Sequence, residues 1–274
     1  MSSLRPTNVR FSLEAFARRG GLEGPHKDGW GIAFCEDGDA RLIKEPHPAS
    51  DSACVRFIQD HPFSADIVLS HIRRATQGRV ATKNCQPFAR ELGGRMHVFA
   101  HNGDLEGRAL RAGLRLGRFR PVGDTDSEYA FCALLALLGP LWMAPAPPPL
   151  AARIGIVGGF AAVVRALGPA NFLYTDGDAL FIHGHRRKHD EAKEAVPPGL
   201  HTLCRLCTLA EGDIEAEGLS IAVGNEQRVV LAASVPLTAE PGWRPLGEGE
   251  LVVARRGELL LPHSLQAAAT SSGA

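Results

Sequence analysis

Residues 96–104 read Met-His-Val-Phe-Ala-His-Asn-Gly-Asp, an apolar run that leads into a polar turn. Met96–Ala100 is predicted to be a short buried strand, because a brief apolar run bounded by turn residues is typical of one. Asn102-Gly103 is first of all a turn signal, since both residues tolerate positive φ at little steric cost. Taken alone, this pair is best interpreted as a turn.

Two other segments carry polar residues where an element begins or ends. Ser70–Gly78 follows a buried strand and contains Arg73, and Gly123–Glu128 opens an apolar helix and contains Asp126. Polar side chains at the ends of neighbouring elements can converge on one small ligand. We therefore expect Arg73, Asp126 and Asn102 to lie close together.

The order of the predicted elements indicates one layered α+β domain. Strands come first, two long apolar helices follow, and strands return after residue 168. This order differs from regular βαβ units. The Pro-rich segment 142–149 lies between the two helices, so it does not separate two domains. We predict a single domain over residues 1–260 and a disordered tail over residues 261–274.

Composition narrows the class of function. Lys+Arg and Asp+Glu both number 30 among 274 residues, which favours neither nucleic acid nor an anionic membrane as a partner. No apolar run reaches the roughly 20 residues of a membrane span, and the N-terminus lacks a signal-peptide core. A cytoplasmic location is expected. The cysteines are scattered, so buried free thiols are expected, and we predict no metal or other cofactor.

Four polar residues have both an ordinary and a functional interpretation. Arg73 could be a surface arginine or could hold a carboxylate through two parallel hydrogen bonds. Asp126 could complement a helix dipole or could hold an ammonium group. Asn102 and Gly103 could form only a turn, or their side-chain amide and backbone N–H could form an oxyanion hole. Singly, the ordinary interpretation is favoured. Together they describe a site for an amino acid with a reactive carbonyl, and glutamine fits that description.

Three ordered motifs resemble those of the class II glutamine amidotransferases. They are His71–Gly78, Ala100–Gly103 and Thr125–Glu128. Gly24–Phe34 and Val235–Thr238 are similar to the free-standing, single-domain branch of that family, which includes YafJ-like proteins and relatives of the ergothioneine-pathway amidohydrolase. The resemblance extends over nearly the whole chain.

The resemblance implies the N-terminal-nucleophile hydrolase fold, a four-layer αββα sandwich of two antiparallel sheets between helix layers. It also implies that an N-terminal cysteine attacks the glutamine side-chain amide, with its own α-amino group as the base. Carried over by motif, Arg73 would bind the substrate α-carboxylate and Thr76 would support that pocket. Asp126 would hold the α-ammonium group, and Asn102 with the Gly103 N–H would form the oxyanion hole.

The chain departs from the family pattern at its N-terminus. It begins Met1-Ser2-Ser3-Leu4, and its first cysteine is Cys35, late in a predicted strand. We consider three explanations: a misplaced start that removes the nucleophile and an inner strand, an N-terminal Ser2 nucleophile, or a pseudoenzyme. The first is favoured, because the residues of the pocket are present, whereas Ser2 lies too close to Pro6 to reach the site.

The sequence thus predicts an enzyme that hydrolyses a γ-glutamyl amide through a cysteine that these residues lack. The expected substrate is glutamine or another γ-glutamyl small molecule. Because no synthase domain is recognised, ammonia would pass to a separate synthetase, or the γ-glutamyl compound would be cleaved outright. The alternative is a non-catalytic protein that binds a γ-glutamyl ligand.

Overall fold

The computed structural model describes residues 1–8, 10–143, 146–189, 194–207, 214–216, 219–221 and 227–260, so the predicted tail 261–274 lies outside the described residues. The helices are α1 (Arg10–Ala17), α2 (Ala53–Asp60), α3 (Gly107–Gly113), α4 (Asp126–Leu138) and α5 (Leu150–Arg165). The strands are β1 (Ser2–Thr7), β2 (Trp30–Glu36), β3 (Asp39–Glu45), β4 (Ala65–Ile72), β5 (Phe88–Leu92), β6 (Arg95–Gly103), β7 (Ala170–Thr175), β8 (Leu180–His183), β9 (His201–Cys207), β10 (Ile214–Ala216), β11 (Leu219–Ile221), β12 (Gln227–Ala233), β13 (Arg244–Pro245), β14 (Leu251–Arg255) and β15 (Glu258–Leu260).

Most strands belong to two large antiparallel sheets that face each other. The first sheet has the order β13-β9-β12-β1-β4-β2-β3, and the second has the order β15-β14-β8-β7-β6-β5. One face of each sheet contributes to a shared apolar core, which includes Leu69 of β4, Val230 of β12 and Ala100 of β6. Successive residues of a strand alternate between faces, so this core identifies the inner face of every strand near the site.

Helices cover the outer faces of both sheets. Val55 of α2 packs with Val68 on the outer face of the first sheet. Phe131 of α4 and Phe160 of α5 pack with Phe99 on the outer face of the second. The four-layer αββα sandwich implied by the resemblance is therefore confirmed. No helix of the described residues is long and apolar enough to cross a membrane.

Strand β6 runs farther than the sequence indicates. Asn102 pairs with Asn171 and Gly103 pairs with Ala170, so both residues belong to the ladder with β7. The predicted turn at this pair is wrong, and neither residue has a positive φ. Gly103 is needed for another reason: a Cβ there would lie 1.8 Å from the carbonyl oxygen of Pro169.

Residues 2–7 form a central strand of the first sheet, which the sequence did not predict. β1 lies between β4 and β12, with Ser2 opposite Ile67 on one side and Val230 on the other. The strand expected to be missing would carry the nucleophile and precede Met1, so that expectation stays a prediction. The N-terminal amine of Met1 donates to the carbonyl oxygen of Val68 at 2.8 Å, and the Val68 N–H donates back to Met1.

Candidate functional site

Arg73 follows β4 directly and is only 4% exposed, so its charge is largely removed from water. Its Nη2 donates to the carbonyl oxygens of Gln77 (2.8 Å) and Gly78 (3.0 Å). Its Nη1 makes only long contacts, of 3.4 Å, with the carbonyl oxygens of Asp28 and Arg79. Within the described ranges no carboxylate forms an ion pair with this guanidinium. The long contacts leave Nη1 with capacity for a ligand carboxylate.

Asp126 is the first residue of α4 and is 4% exposed. Its Oδ2 accepts the backbone N–H of Leu105 at 2.7 Å, and its Oδ1 lies 3.4 Å from the hydroxyl of Ser127. Thr125 caps the helix by accepting the N–H of Glu128. The helix N-terminus favours a negative charge here. Among the described residues no cationic side chain pairs with Asp126, so it is a buried anion that could bind an ammonium group.

A continuous hydrogen-bonded path joins the two buried charges. The Arg73 guanidinium donates to the Gln77 carbonyl, and the Gln77 side-chain amide donates to the Leu105 carbonyl at 3.2 Å. Leu105 in turn donates its N–H to Asp126. The Gln77 amide also donates to Asp104 at 2.6 Å. The cation and the anion are thus held on one framework around the end of β6.

Asn102 belongs to the same inner layer as Arg73. Ala100 and Leu69 line the core between the sheets, so Asn102, two residues beyond Ala100, and Arg73, four beyond Leu69, share the inner face. The Asn102 backbone is anchored, because its carbonyl accepts the side-chain amide of Asn171 at 3.0 Å. Its own side chain is exposed and makes no hydrogen bond in the described part of the chain. That amide is free to donate to a ligand.

Thr76 and His71 lie on either side of Arg73 in sequence. Thr76 is exposed in the loop after β4, and its hydroxyl has no hydrogen bond within the described residues. His71 shares the inner face of β4, and its Nδ1 is buried without a partner. Burial lowers the pKa of His71 to about 3, and the neighbouring His26 and His101 lower it further, so the ring is neutral. The hydrogen bonds of the Arg73 guanidinium within the described residues do not include Thr76.

Three buried polar residues hold the site loops together, and sequence reasoning missed them. The Gln86 side chain binds both backbone groups of His101, at 2.6 and 3.1 Å. Asn84 joins the loop at Arg79 to the loop at Asp124, at 2.9 and 2.8 Å. Neither has a local signal, because the partners lie up to 40 residues away.

Glu128 is the third of these residues, and the sequence did contain a signal for it. Thr125 and Glu128 have the spacing of a capping box, in which the acid binds backbone N–H groups before the helix. Glu128 accepts the N–H groups of Val122 (3.1 Å) and Gly123 (2.6 Å) and pairs with Arg90. It therefore fixes the loop that leads into Asp126.

The described residues include free cysteines, but the two nearest to the site or the N-terminus have unreactive thiols. Cys35 is 2% exposed, and burial raises its pKa to about 12. Cys85 is fully buried, and its thiol donates to the carbonyl oxygen of Glu45 at 3.3 Å. Burial also raises the pKa of Cys85. Thiolates are the reactive form, so neither residue is suited to attack an amide.

The arrangement has a clear chemical meaning. It offers a buried cation, a buried anion and an unoccupied amide donor at the ends of β4, α4 and β6. A zwitterionic amino acid whose side chain carries a carbonyl would match the two charges and the donor. Neither Cys35 nor Cys85 supplies a reactive thiol for attack on such a carbonyl.

Comparison with known proteins identifies the class. The family model described as "Glutamine amidotransferases class-II" matches residues 1–272. A similar protein is YafJ from Escherichia coli (strain K12), with 38% identity over 250 residues, 91% of this chain and 93% of that protein. An uncharacterized protein from Methanocaldococcus jannaschii is 32% identical over 260 residues, 93% of this chain and 68% of that protein.

Solved structures of glutamine amidotransferases have a similar fold. The crystal structure of a predicted glutamine amidotransferase from Pseudomonas aeruginosa superposes with a TM-score of 0.67 and 30% identity, covering 95% of this chain and 97% of that one. Glutamine phosphoribosylpyrophosphate amidotransferase from B. subtilis shares the fold at a TM-score of 0.53 and 14% identity, over 92% of this chain and 45% of that one. This chain belongs to the class II glutamine amidotransferase family.

Proposed function

We propose that the protein hydrolyses the γ-glutamyl amide of glutamine or of a related small molecule, using a cysteine carried by residues that precede Met1 in the native protein. The observation that carries this proposal is the pair of buried, oppositely charged side chains, Arg73 and Asp126, on one hydrogen-bonded framework. Two buried charges without ionic partners are costly unless a ligand compensates them. An amino acid does so at both ends.

Each pocket residue then has a role. Arg73 would bind the α-carboxylate through its Nη1 edge, and Thr76 would line that end of the pocket. Asp126 would accept the α-ammonium group. Asn102 and the Gly103 N–H would donate to the oxygen of the tetrahedral intermediate. The thiol would add to the amide carbon and ammonia would leave with a proton from the N-terminal amine, after which water would hydrolyse the γ-glutamyl thioester.

The register of the first sheet supports a position for this thiol. Met1 and Val68 exchange both backbone hydrogen bonds, so they are directly opposed. Each residue before Met1 would oppose the next residue of β4, and the fifth would oppose Arg73. Opposed residues share a face, and Arg73 lies on the inner face. A cysteine about five residues before Met1 would therefore lie beside Arg73.

The neighbours of β1 have free edges along that path. Leu69–Ile72 of β4 pair with β2 on one side, and no residue of the described chain pairs with their other side. On the far side, the pairs that Leu231–Ala233 make with other described residues are all with β9. An open cleft, lined by Met1, Ser70 and Ala232 among others, lies there. An extended segment could pair with both edges.

The state of the Met1 amine supports the same proposal. Burial lowers the pKa of this amine to about 5, so its charged form is strongly disfavoured at the centre of the sheet. A peptide N–H could make the same bond to the Val68 carbonyl without any charge. An internal residue suits this position better than a chain terminus.

Ser2 is not supported as the nucleophile. It opposes Ile67, six residues along β4 from Arg73, which corresponds to roughly 20 Å in an extended strand. Its side chain is fully buried, and its hydroxyl accepts the Gly257 N–H at 3.4 Å. A ligand held by Arg73 would be out of its reach.

A pseudoenzyme that binds a γ-glutamyl ligand is the alternative, because both charged groups of the pocket are complete without the thiol. The two functions differ in turnover and not in binding. The intact mass of the natural protein, or the codons upstream of Met1, would reveal whether a cysteine precedes the strand. An in-frame stop codon there, together with glutamine binding, would favour the alternative.

A direct test compares three forms of the protein by ammonia release from glutamine. The first begins at Met1, the second has a strand-forming extension with cysteine five residues before Met1, and the third has serine at that position. We expect release only from the cysteine form and glutamine binding by all three. Release from the form that begins at Met1, or none from any form, would contradict the proposal.

The same assay addresses whether the released ammonia passes to a second enzyme. A free-standing enzyme would either hand ammonia to a separate synthetase in the cytoplasm or hydrolyse a larger γ-glutamyl compound. Comparing kcat/KM for glutamine with that for γ-glutamyl peptides distinguishes the two, because the amino-acid end is recognised identically. A strong preference for peptides would favour outright hydrolysis.

A further inference from the structure

His101, which precedes Asn102 in β6, bridges two elements of the site through its ring. It is 3% exposed, and its Nδ1 lies 2.9 Å from the hydroxyl of Ser127 at the start of α4. Its Nε2 lies 3.3 Å from the carbonyl oxygen of Pro169, just before β7. The Gln86 side chain accepts the backbone N–H of His101 and donates to its carbonyl oxygen. The ring has little freedom to adopt another arrangement.

These contacts determine which nitrogen carries the proton. A carbonyl oxygen can only accept, so Nε2 must donate to Pro169 and the neutral ring must leave Nδ1 unprotonated. Nδ1 then accepts the single hydroxyl proton of Ser127. Burial lowers the pKa of His101, although Asp126 and Asp104 oppose the shift, so the ring is neutral at physiological pH.

The proton of Ser127 therefore has two competing acceptors. Nδ1 of His101 lies at 2.9 Å and Oδ1 of Asp126 at 3.4 Å. Because the proton goes to His101, Oδ1 receives nothing from Ser127. The Asp126 carboxylate keeps one strong donor, the Leu105 N–H on Oδ2. Its charge remains available on Oδ1.

We propose that His101 is a positioning residue that withholds the Ser127 proton from Asp126 and so reserves Oδ1 for the α-ammonium group of the ligand. This inference rests on the proposed function, because it requires a ligand with an ammonium group. This role explains why the His101 ring lies against Gly103, one of the two proposed oxyanion donors. A Cβ added at Gly103 would lie 2.7 Å from Nε2 of that ring. One ring thus links the donor segment and the ammonium site.

The first test is independent of any ligand. Long-range ¹⁵N–¹H correlation spectra of the full chain report which nitrogen of each imidazole is protonated, and the His101→Asn variant assigns the signal. We expect the Nε2–H form at pH 7. The Nδ1–H form would allow Ser127 to donate to Asp126 and would overturn the proposal.

The second test uses two variants of nearly equal size. His101→Asn can still accept the Ser127 proton, whereas His101→Leu cannot, and both lose the contact with Pro169. We expect the Leu variant to bind glutamine at least about fivefold more weakly than the Asn variant, because Ser127 then donates to Asp126. Adding Ser127→Ala to the Leu variant should recover most of that loss. Calorimetry measures each Kd.

The matched ligand is 4-carbamoylbutanoate, which is glutamine without its α-amino group. It should bind the Asn and Leu variants equally, since it makes no use of Asp126. An equal loss for both ligands, or no recovery with Ser127→Ala, would overturn the inference while leaving the proposed function intact. Failure of the unaltered protein to bind glutamine would overturn the proposed function and the ammonium role together.

Discussion

Two groups of buried charges in this molecule differ in how they are compensated. Arg153 of α5 is 2% exposed and binds Asp176 at 2.7 Å and Asp178 at 2.8 Å, so every charge has a partner within the chain. Arg73 and Asp126 are equally buried, yet in the described part of the chain neither has an ionic partner. The first group joins a helix to a turn of the second sheet. Under the proposed function, a bound ligand compensates the second group.

This difference shows what burial of a charge can mean. A buried pair contributes little net stability, but removing one partner is costly because the other stays buried and uncompensated. An unpaired buried charge is costly from the start, and that cost persists unless a ligand offsets it. Substitutions in the paired group should therefore affect stability, whereas isosteric substitutions in the unpaired group should affect binding.

The largest effect is expected for Arg153→Met. Asp176, which is 0% exposed, would lose its counter-charge, and the free energy of unfolding should fall by about 3–5 kcal/mol. Urea denaturation measures this loss. Glutamine affinity of the folded fraction should be unchanged. A loss below about 1 kcal/mol, or a change in affinity, would remove the contrast between the groups.

The second prediction concerns pH and His97, which is fully buried near the paired group between Tyr174 (2.7 Å) and Leu92 (3.1 Å). Burial lowers the pKa of His97 to about 4, below its value of about 6.5 in an unfolded chain. As the pH falls below 6.5 the unfolded state binds the proton first, so up to about 3 kcal/mol of stability is lost by pH 4.

A control is needed here, because His71 and His183 also have pKa values lowered by burial and act in the same direction. His97→Gln removes only one titrating group. The stability of this variant should therefore decline less steeply than that of the unaltered protein between pH 6.5 and 4. Identical slopes in the two denaturation series would show that His97 does not titrate in this way.

The third prediction tests the donor beside the unpaired charges. In the cysteine-bearing form, Asn102→Ala should lower kcat by about a hundredfold or more while glutamine affinity changes little, because an oxyanion donor acts in the transition state. The aspartate side chain of Asn102→Asp has the same shape as asparagine but cannot donate a hydrogen bond, so this variant should lose as much kcat as Asn102→Ala. Near-normal turnover in either variant would rule out the donor role.

The smallest effect is expected for Asp126→Asn, which keeps an oxygen to accept the Leu105 N–H but removes the charge. Glutamine affinity should fall about 10- to 100-fold, the range for losing a charged hydrogen bond. The melting temperature should be unchanged or higher, since an unpaired buried charge is gone. The matched change Asp176→Asn should do the reverse, lowering the melting temperature without altering affinity.

The features that could be predicted from sequence were local ones. The predicted strand Met96–Ala100 is confirmed as part of β6, because apolar runs and the turn or capping residues beside them act within a few positions. The start of α4 at Asp126 was predicted for the same reason. Arg73, Asn102 and Asp126 were identified by motif, and their roles stay predictions.

Longer-range features could not be predicted. Asn102-Gly103 continues a strand because these residues pair with Asn171 and Ala170 of β7, which lie 69 and 67 residues on. Residues 2–7 form a strand because β4 and β12 pair with them, for example Ser2 with Ile67 and with Val230, which lie 65 and 228 residues on. Their own pattern, Ser-Ser-Leu-Arg-Pro-Thr, has little strand character.

The position of β1 has a mechanical consequence. The first sheet consists of a β13-β9-β12 half and a β4-β2-β3 half, and β1 is the strand that hydrogen-bonds both. β1 pairs with β12 through Ser2 opposite Val230 and Ser3 opposite Val229. Under the proposed function, the segment that lengthens this seam also carries the thiol. Pairing of that segment would then complete the sheet and bring the thiol into the site in a single folding event. Amide protection of Leu69–Ile72 against hydrogen exchange should therefore rise together with glutaminase activity.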